Sequence, residues 1–194
     1  MGRAETRPSV GFPPFARPDA RVLILGSLPS AESLRRGQYY AHPRNAFWRV
    51  MGELFGASRD LAYGDRVRRL IENRIALWDV CAAACRPGSA DADLAEVVPN
   101  DFEGFFASHP HIELICLNGT KASEIYHRRV MPSLPPEFAE IRREVLPSTS
   151  PANARLSFAE KVRRWKRVLE SALEARPGAP ASHEPQASRV AAER

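Results

Sequence analysis

The sequence predicts an α/β fold: a three-layer α/β/α domain around a central, mostly parallel four-stranded sheet. Two observations carry this. Short apolar runs alternate with segments of helical period four times along the chain, and such alternation builds a parallel sheet covered by helices on both faces. Each run also ends in an unusual segment: "GSLPS", "DVCAAACRPGSADAD", "LNGTK" and "LPSTSPAN". In open α/β sheets ligands bind beyond the carboxyl ends of the strands, so these segments gather along one edge as a candidate site. With 194 residues the chain has room for one domain.

In chain order, "RVLILG" (21–26) reads as a buried strand ended by Gly. "NAFWRVMGELFG" (45–56) reads as a helix with Gly56 just past its end. "RVRRLIENR" (66–74) is a basic amphipathic helix, and "IALWDV" (75–80) a strand. "IELICLNG" (112–119) is a strand running into Gly119, with "TKASEIYHRRV" (120–130) following as a helix. "IRREVLPSTSPAN" (141–153) is a strand running into a Pro- and Ser-rich loop. "SFAEKVRRWKRVLESALEA" (157–175) is the clearest helix. Ser157 and Glu160 form a capping box, and Phe158, Val162, Trp165, Leu169 and Leu173 make an apolar stripe. Residues 1–11 are expected to be a flexible lead-in, 12–175 the domain, and 176–194 a disordered tail with almost nothing to bury.

The formal charge of +5 favours a polyanionic partner. No run of eighteen apolar residues and no apolar segment behind the N-terminus are present, so neither a membrane span nor a secretory signal is expected. The default is a cytoplasmic protein. The three cysteines, Cys81, Cys85 and Cys116, do not support a disulfide framework. Cys81 and Cys85 lack the partners a metal site would need and read as small buried thiols.

The sheet edge offers three kinds of chemistry. Gly26 and Ser27 at a strand end allow backbone N–H groups to meet an anion, and Ser148, Thr149 and Ser150 add hydroxyls suited to phosphate oxygens. Tyr39, Tyr40 and Phe47 offer flat faces for a base; stacking is worth about 1–3 kcal/mol per base. Asn45, Asp79 and Asn118 can read a base edge or place a water. Together these suit a nucleotide drawn out of a duplex. Each also has a plainer use: Asn45 fits a helix N-cap, Phe47 a core position, and the serines ordinary turns.

The stretch 26–48 resembles the first motif of the uracil-DNA glycosylase superfamily. Gly26, Pro29, Gly37, Tyr40, Pro43, Asn45, Phe47 and Trp48 fall in the register of its mismatch-specific branch. The similarity is greater still to the hypoxanthine (deoxyinosine) glycosylase-like branch. Its "GS-P", "QYY", "N-FW", "LWDV" and "LPSTSPAN" correspond here to 26–29, 38–40, 45–48, 77–80 and 146–153. The resemblance spans roughly residues 10 to 173. It implies a uracil-DNA glycosylase-like fold and a monofunctional glycosylase that hydrolyses the N-glycosidic bond of a deaminated base, uracil or hypoxanthine, in duplex DNA. The expected setting is a nucleoid-associated monomer needing no cofactor and no metal. The mismatch branch places its attacking water with an Asn at the position held here by Leu28, which cannot bind water. The hypoxanthine-like branch moves that role to the position of Asn45. The resemblance thus gives Asn45 and Asp79 as catalytic residues, and Tyr40, Phe47, Asn118, Gly26 and Ser27 as base-binding. It gives Ser148, Ser150, Asn153, Arg155 and Leu156 as DNA-binding, with Arg155 or Leu156 as the wedge that fills the emptied stack. The alternative that Leu28 leaves open is a non-catalytic binder of damaged or abasic DNA.

Overall fold

The computed structural model describes residues 8–85 and 94–174. The expected tail at 176–194 and the latter half of the loop after Asp79 lie outside the described residues. A four-stranded parallel sheet forms the centre: β2 (Val22–Gly26), β3 (Ile75–Asp79), β6 (Leu114–Asn118) and β7 (Arg142–Leu146), in the order β3-β2-β6-β7. These are the four strands expected from the apolar runs. Every residue of β2 and β3 is buried, the state of strands covered on both faces.

Three helices, α1 (Ala31–Arg36), α2 (Phe47–Phe55) and α3 (Tyr63–Glu72), lie between β2 and β3. The helix α4 (Phe102–Ser108) lies between β3 and β6, and α5 (Thr120–Ile125) with α6 (Pro136–Ala139) between β6 and β7. Parallel crossovers are right-handed. The step from β2 to β3 runs one way along the sheet and the steps to β6 and β7 run the other, so the two groups of helices take opposite faces. The aromatic packing agrees. Tyr39, Phe47, Trp48, Tyr63 and Trp165 belong to one cluster of ring contacts. Trp78, Phe102, Phe105, Phe106 and Tyr126 form another. The last helix, α7 (Phe158–Glu174), returns to pack on α2.

The helix ends follow from local chemistry. Gly56 ends α2 at φ 65°, a left-handed position that Gly takes without strain. The Ser157 hydroxyl accepts from the Glu160 N–H at 3.2 Å, half of the expected capping box. Trp165 and Leu169 of the expected α7 stripe are fully buried, whereas Phe158, Val162 and Leu173 lie at its margin. Lys161, Val168 and Ala172 complete the inward face.

Two expectations need correction. The segment after Asp79 is not only loop: β4 (Cys81–Cys85) pairs with β5 (Ala95–Pro99) and with β1 (Ser9–Val10) in a second, antiparallel sheet. The ordered chain accordingly begins before residue 12, because Ser9 and Val10 pair with Ala84 and Ala83 and the Gly11 N–H donates to the Ala82 carbonyl at 2.7 Å. Nothing in "CAAAC" alternates in polarity, so periodicity could not reveal that strand. Cys81, Cys85 and Cys116 are buried, and no disulfide joins them. Among the described residues no helix is long and apolar enough to cross a membrane.

Candidate active site

The connections of β2 and β6 leave the sheet on opposite faces, and between such strands a crevice opens beyond their carboxyl ends. Gly26 ends β2 and pairs with Asp79 at the end of β3. Asn118 ends β6 and pairs with Leu146 at the end of β7.

Gly26 owes its place to space rather than to an unusual dihedral. A Cβ there would lie 2.3 Å from Asp79 Oδ1 and 2.9 Å from the Tyr40 hydroxyl. The missing side chain lets a carboxylate and a phenol meet at one strand end. Asp79 and Ser27 are buried, and the Asn100 side-chain amide donates to the Asp79 carbonyl at 2.8 Å. The Gly26 and Ser27 carbonyls accept from the N–H groups of Val80 and Cys81, carrying the β2–β3 ladder past the strand ends.

The aromatic loop divides its labour. Tyr39 is core: its hydroxyl reaches the Phe12 and Pro13 carbonyls, its carbonyl accepts from Trp48 Nε1 at 2.8 Å, and its N–H donates to the Tyr63 hydroxyl. Burial holds its phenol well above the ordinary tyrosine value, and the Asp79 carboxylate adds to the effect. Tyr40, at φ 53°, turns the other way and stacks on Phe47 with ring centroids 4.0 Å apart. Phe47 has no exposed surface. It backs Tyr40 instead of facing a base, which corrects the expectation that either ring could serve.

Asn45 lies at the start of α2, and its Oδ1 accepts from the Phe47 N–H at 2.9 Å. The N-cap position itself belongs to Ala46, which makes no side-chain cap bond, so the plainer cap reading is not realised; the bond to Phe47 closes a turn just ahead of the helix and holds the amide in a fixed direction. Sequence reasoning missed Arg59. Its Nη2 donates to the His42 carbonyl at 2.6 Å, the Tyr40 carbonyl at 3.2 Å and the Asn45 carbonyl at 3.4 Å. One guanidinium thus gathers the backbone on both sides of the aromatic plate. Its burial pulls its proton affinity below the ordinary arginine range. No local motif signals this clamp, because it spans 19 residues of sequence.

The loop after β7 is held from three sides. Asn118 Nδ2 donates to Thr149 Oγ1, and the Thr149 N–H donates to Asn118 Oδ1, both at 3.0 Å. Asn118 therefore commits one N–H and one lone pair of its amide to positioning the loop. The Thr149 carbonyl accepts from the Ala46 N–H at 2.9 Å, tying this loop to the one bearing Asn45. Trp165 Nε1 donates to the Pro147 carbonyl at 3.0 Å. Gly119, at φ 97°, admits Ser148, whose Cβ would stand 2.7 Å from a Cβ on Gly119.

Ser148 Oγ accepts from the Ser150 N–H, and Ser150 Oγ from the Ala152 N–H, so each hydroxyl keeps its own hydrogen to donate. Asn153 bonds within the loop, its Nδ2 to the Ser148 carbonyl at 3.2 Å. Arg155 is exposed and Leu156 half-buried. Leu28, at the position where the resembling branch carries its water-binding Asn, is 5% exposed and part of the core. Among the described residues no cluster of His, Cys, Asp and Glu is arranged to hold a metal ion.

The arrangement brings together Gly26, Tyr40, Asp79 and, through Arg59, Asn45, with Ser148 and Ser150 on the adjoining loop. The uracil DNA glycosylase superfamily model matches residues 13–173. A hypoxanthine DNA glycosylase of Methanosarcina acetivorans is 41% identical over 160 residues, covering 82% of this chain and 96% of that protein. One from Methanosarcina barkeri is 39% identical over 115 residues, 59% of this chain and 73% of that protein. The solution structure of a candidate uracil DNA glycosylase from M. acetivorans superposes with a TM-score of 0.72 at 40% identity, covering 87% of this chain and 100% of that one. The strand order, the convergent strand ends and these matches agree: the chain belongs to the uracil DNA glycosylase superfamily.

Proposed function

We propose that the protein is a monofunctional DNA glycosylase that releases a deaminated base, hypoxanthine or uracil, from duplex DNA and leaves an abasic site. The observation that carries the reading is the meeting of Tyr40, Asp79 and Gly26 at one strand end, with Asn45 clamped beside them. The names of the two archaeal relatives support hypoxanthine as the first base to test.

The chemistry asks little of a strong base. As the N-glycosidic bond lengthens, the sugar becomes cationic and the departing base anionic. A water delivered to the sugar carbon then completes hydrolysis, giving up a proton while the base gains one. The Asn45 amide directs that water; its turn bond to Phe47 fixes the angle. Tyr40 stacks the everted base with Phe47 as backing. Asp79 meets the base edge, where its acceptor oxygens suit a ring N–H. Asp79 and Ser27 are buried in the free protein, so the slot is closed and admitting a base requires Tyr40 or the 147–150 loop to shift. Ser148 and Ser150 grip phosphates, and exposed Arg155 is the better placed of the two candidate wedges.

The test uses the full chain and a panel of duplexes carrying hypoxanthine, uracil, xanthine or a thymine mispair, scored for alkali-labile abasic sites. Release of hypoxanthine or uracil is expected. Tight binding to every damaged duplex with no release from any would replace the enzyme by a lesion-binding protein. Asp79→Asn is expected to alter the ratio of hypoxanthine to uracil release; an unchanged ratio would make Asp79 purely structural.

A further inference from the structure

We propose that the open groove between the first turns of α2 and α7 binds a backbone phosphodiester of the DNA strand beside the everted nucleotide, with Arg44, Arg49 and Lys161 as its cationic wall. The groove encloses about 290 Å³, and Ser150, Asn153 and Phe158 also line it. Among the described residues no Asp or Glu lines it, so three positive charges face a common space. Interactions of this kind in a free protein are repulsive and are relieved by a bound anion.

Two of the three cations, Arg49 and Lys161, are built in by their contacts, and Arg44 is exposed beside them. The Arg49 guanidinium lies 4.0 Å over the Phe158 ring. That stacking holds the fork flat while leaving its N–H edges available for a bidentate acceptor. Arg49 also sits in the first turn of α2, which has no acidic residue there. A cation near the positive end of a helix is unfavourable by itself and becomes favourable when an anion joins it.

Lys161 occupies a core-facing position of α7 and is 6% exposed. Its ammonium donates to the Asn153 carbonyl at 2.8 Å, and a buried ammonium with a single neutral acceptor is under-compensated. Desolvation accordingly lowers its proton affinity below the ordinary lysine value. Ser150 adds a hydroxyl hydrogen, since its oxygen already accepts from Ala152.

A phosphodiester fits this set because it is a compact anion with two outward oxygens. DNA is its source because Ala46 and Thr149, joined at 2.9 Å, line the groove and are the neighbours of Asn45 and Ser148. The choice of DNA rests on the glycosylase reading, and the experiment separates the two. The wild-type full chain is titrated with an undamaged labelled duplex over a range of salt by fluorescence anisotropy, beside Arg44→Gln/Arg49→Gln and Lys161→Met. Arg128→Gln/Arg129→Gln serves as a control of equal charge change, at two exposed positions elsewhere.

The slope of log affinity against log salt is expected to fall by about one for each phosphate the groove variants no longer neutralise. In the control it is expected to stay unchanged. An unchanged slope in Arg44→Gln/Arg49→Gln, or the same fall in the control, overturns the proposal. Both arginines are exposed, so this variant decides the matter even if Lys161→Met fails to fold. Abasic-site formation on a hypoxanthine duplex is scored for the wild type in parallel. A wild type that releases no base while the groove variants lose slope leaves the groove standing and removes the enzyme. Base release with an unchanged slope removes the groove alone.

Discussion

Asn118 and Thr149 hold each other through two hydrogen bonds of 3.0 Å, one from each residue, and this pair anchors the Pro- and Ser-rich loop to the end of β6. Thr149 is 1% exposed, so a missing partner cannot be replaced by bulk water. Thr149→Val keeps the shape and removes the acceptor. It is expected to lower unfolding free energy by roughly 1–3 kcal/mol, the cost of an unsatisfied buried donor, and to weaken duplex binding because Ser148 and Ser150 lose their footing. Urea denaturation and anisotropy check both effects. Unchanged values for Thr149→Val would show that the loop is held elsewhere.

Substitution can separate the bond that Asn45 makes to Phe47 from its proposed role in placing water. Asn45→Ala removes the turn bond to Phe47 and is expected to lower stability by about 1 kcal/mol, with base release slowed by at least about a hundredfold. Asn45→Asp keeps an acceptor for the Phe47 N–H but loses the amide donors. Its melting temperature should stay close to that of the wild type while base release falls as in the Ala variant. If Asn45→Asp releases base at the wild-type rate, the amide has no part in placing water.

Arg59 is a positioning residue. Removing it leaves the Tyr40, His42 and Asn45 carbonyls without their shared donor. Arg59→Ala is expected to lower kcat by about tenfold or more with a smaller change in KM, because Tyr40 and Asn45 lose their alignment while the 147–150 loop keeps its anchor on Asn118. Arg59→Lys keeps the charge without the fork and should recover part of kcat. Single-turnover rates on a hypoxanthine duplex measure this; equal losses in kcat and stability alone, with no recovery by Lys, would make the clamp merely structural.

Gly26→Ala tests the crowding at the strand end. The added Cβ would lie 2.3 Å from Asp79 Oδ1 and 2.9 Å from the Tyr40 hydroxyl, so both must move. Overpacking at a tight site typically costs about 1–3 kcal/mol. A drop in melting temperature and a loss of base release are expected together, and wild-type activity in a well-folded Gly26→Ala would show that the two groups need not meet there.

The framework was legible in the chain because it rests on local chemistry. The strands β2, β3, β6 and β7 are apolar runs bounded by breakers, and α2 and α7 carry their own period and caps. The cap of α4 at Asp101, whose side chain accepts from the Gly104 N–H at 3.0 Å, is a local signal of the same kind that sequence reasoning passed over. The antiparallel sheet was hidden because "CAAAC" has no alternation and its partners are ten or more residues away on either side.

At the site, the residue types and their order along the chain determined that an aromatic plate, a strand-end carboxylate and a hydroxyl-rich loop share one edge of the sheet. Tertiary structure alone decided their duties. It set Phe47 behind Tyr40, turned the Asn118 amide onto Thr149, brought Arg59 to the carbonyls of the aromatic loop and aimed Lys161 at a groove. The reason is physical: period, caps and breakers act over a few neighbouring residues, whereas which face of a ring is covered and where an amide spends its hydrogen bonds depend on groups that meet only when the chain is folded.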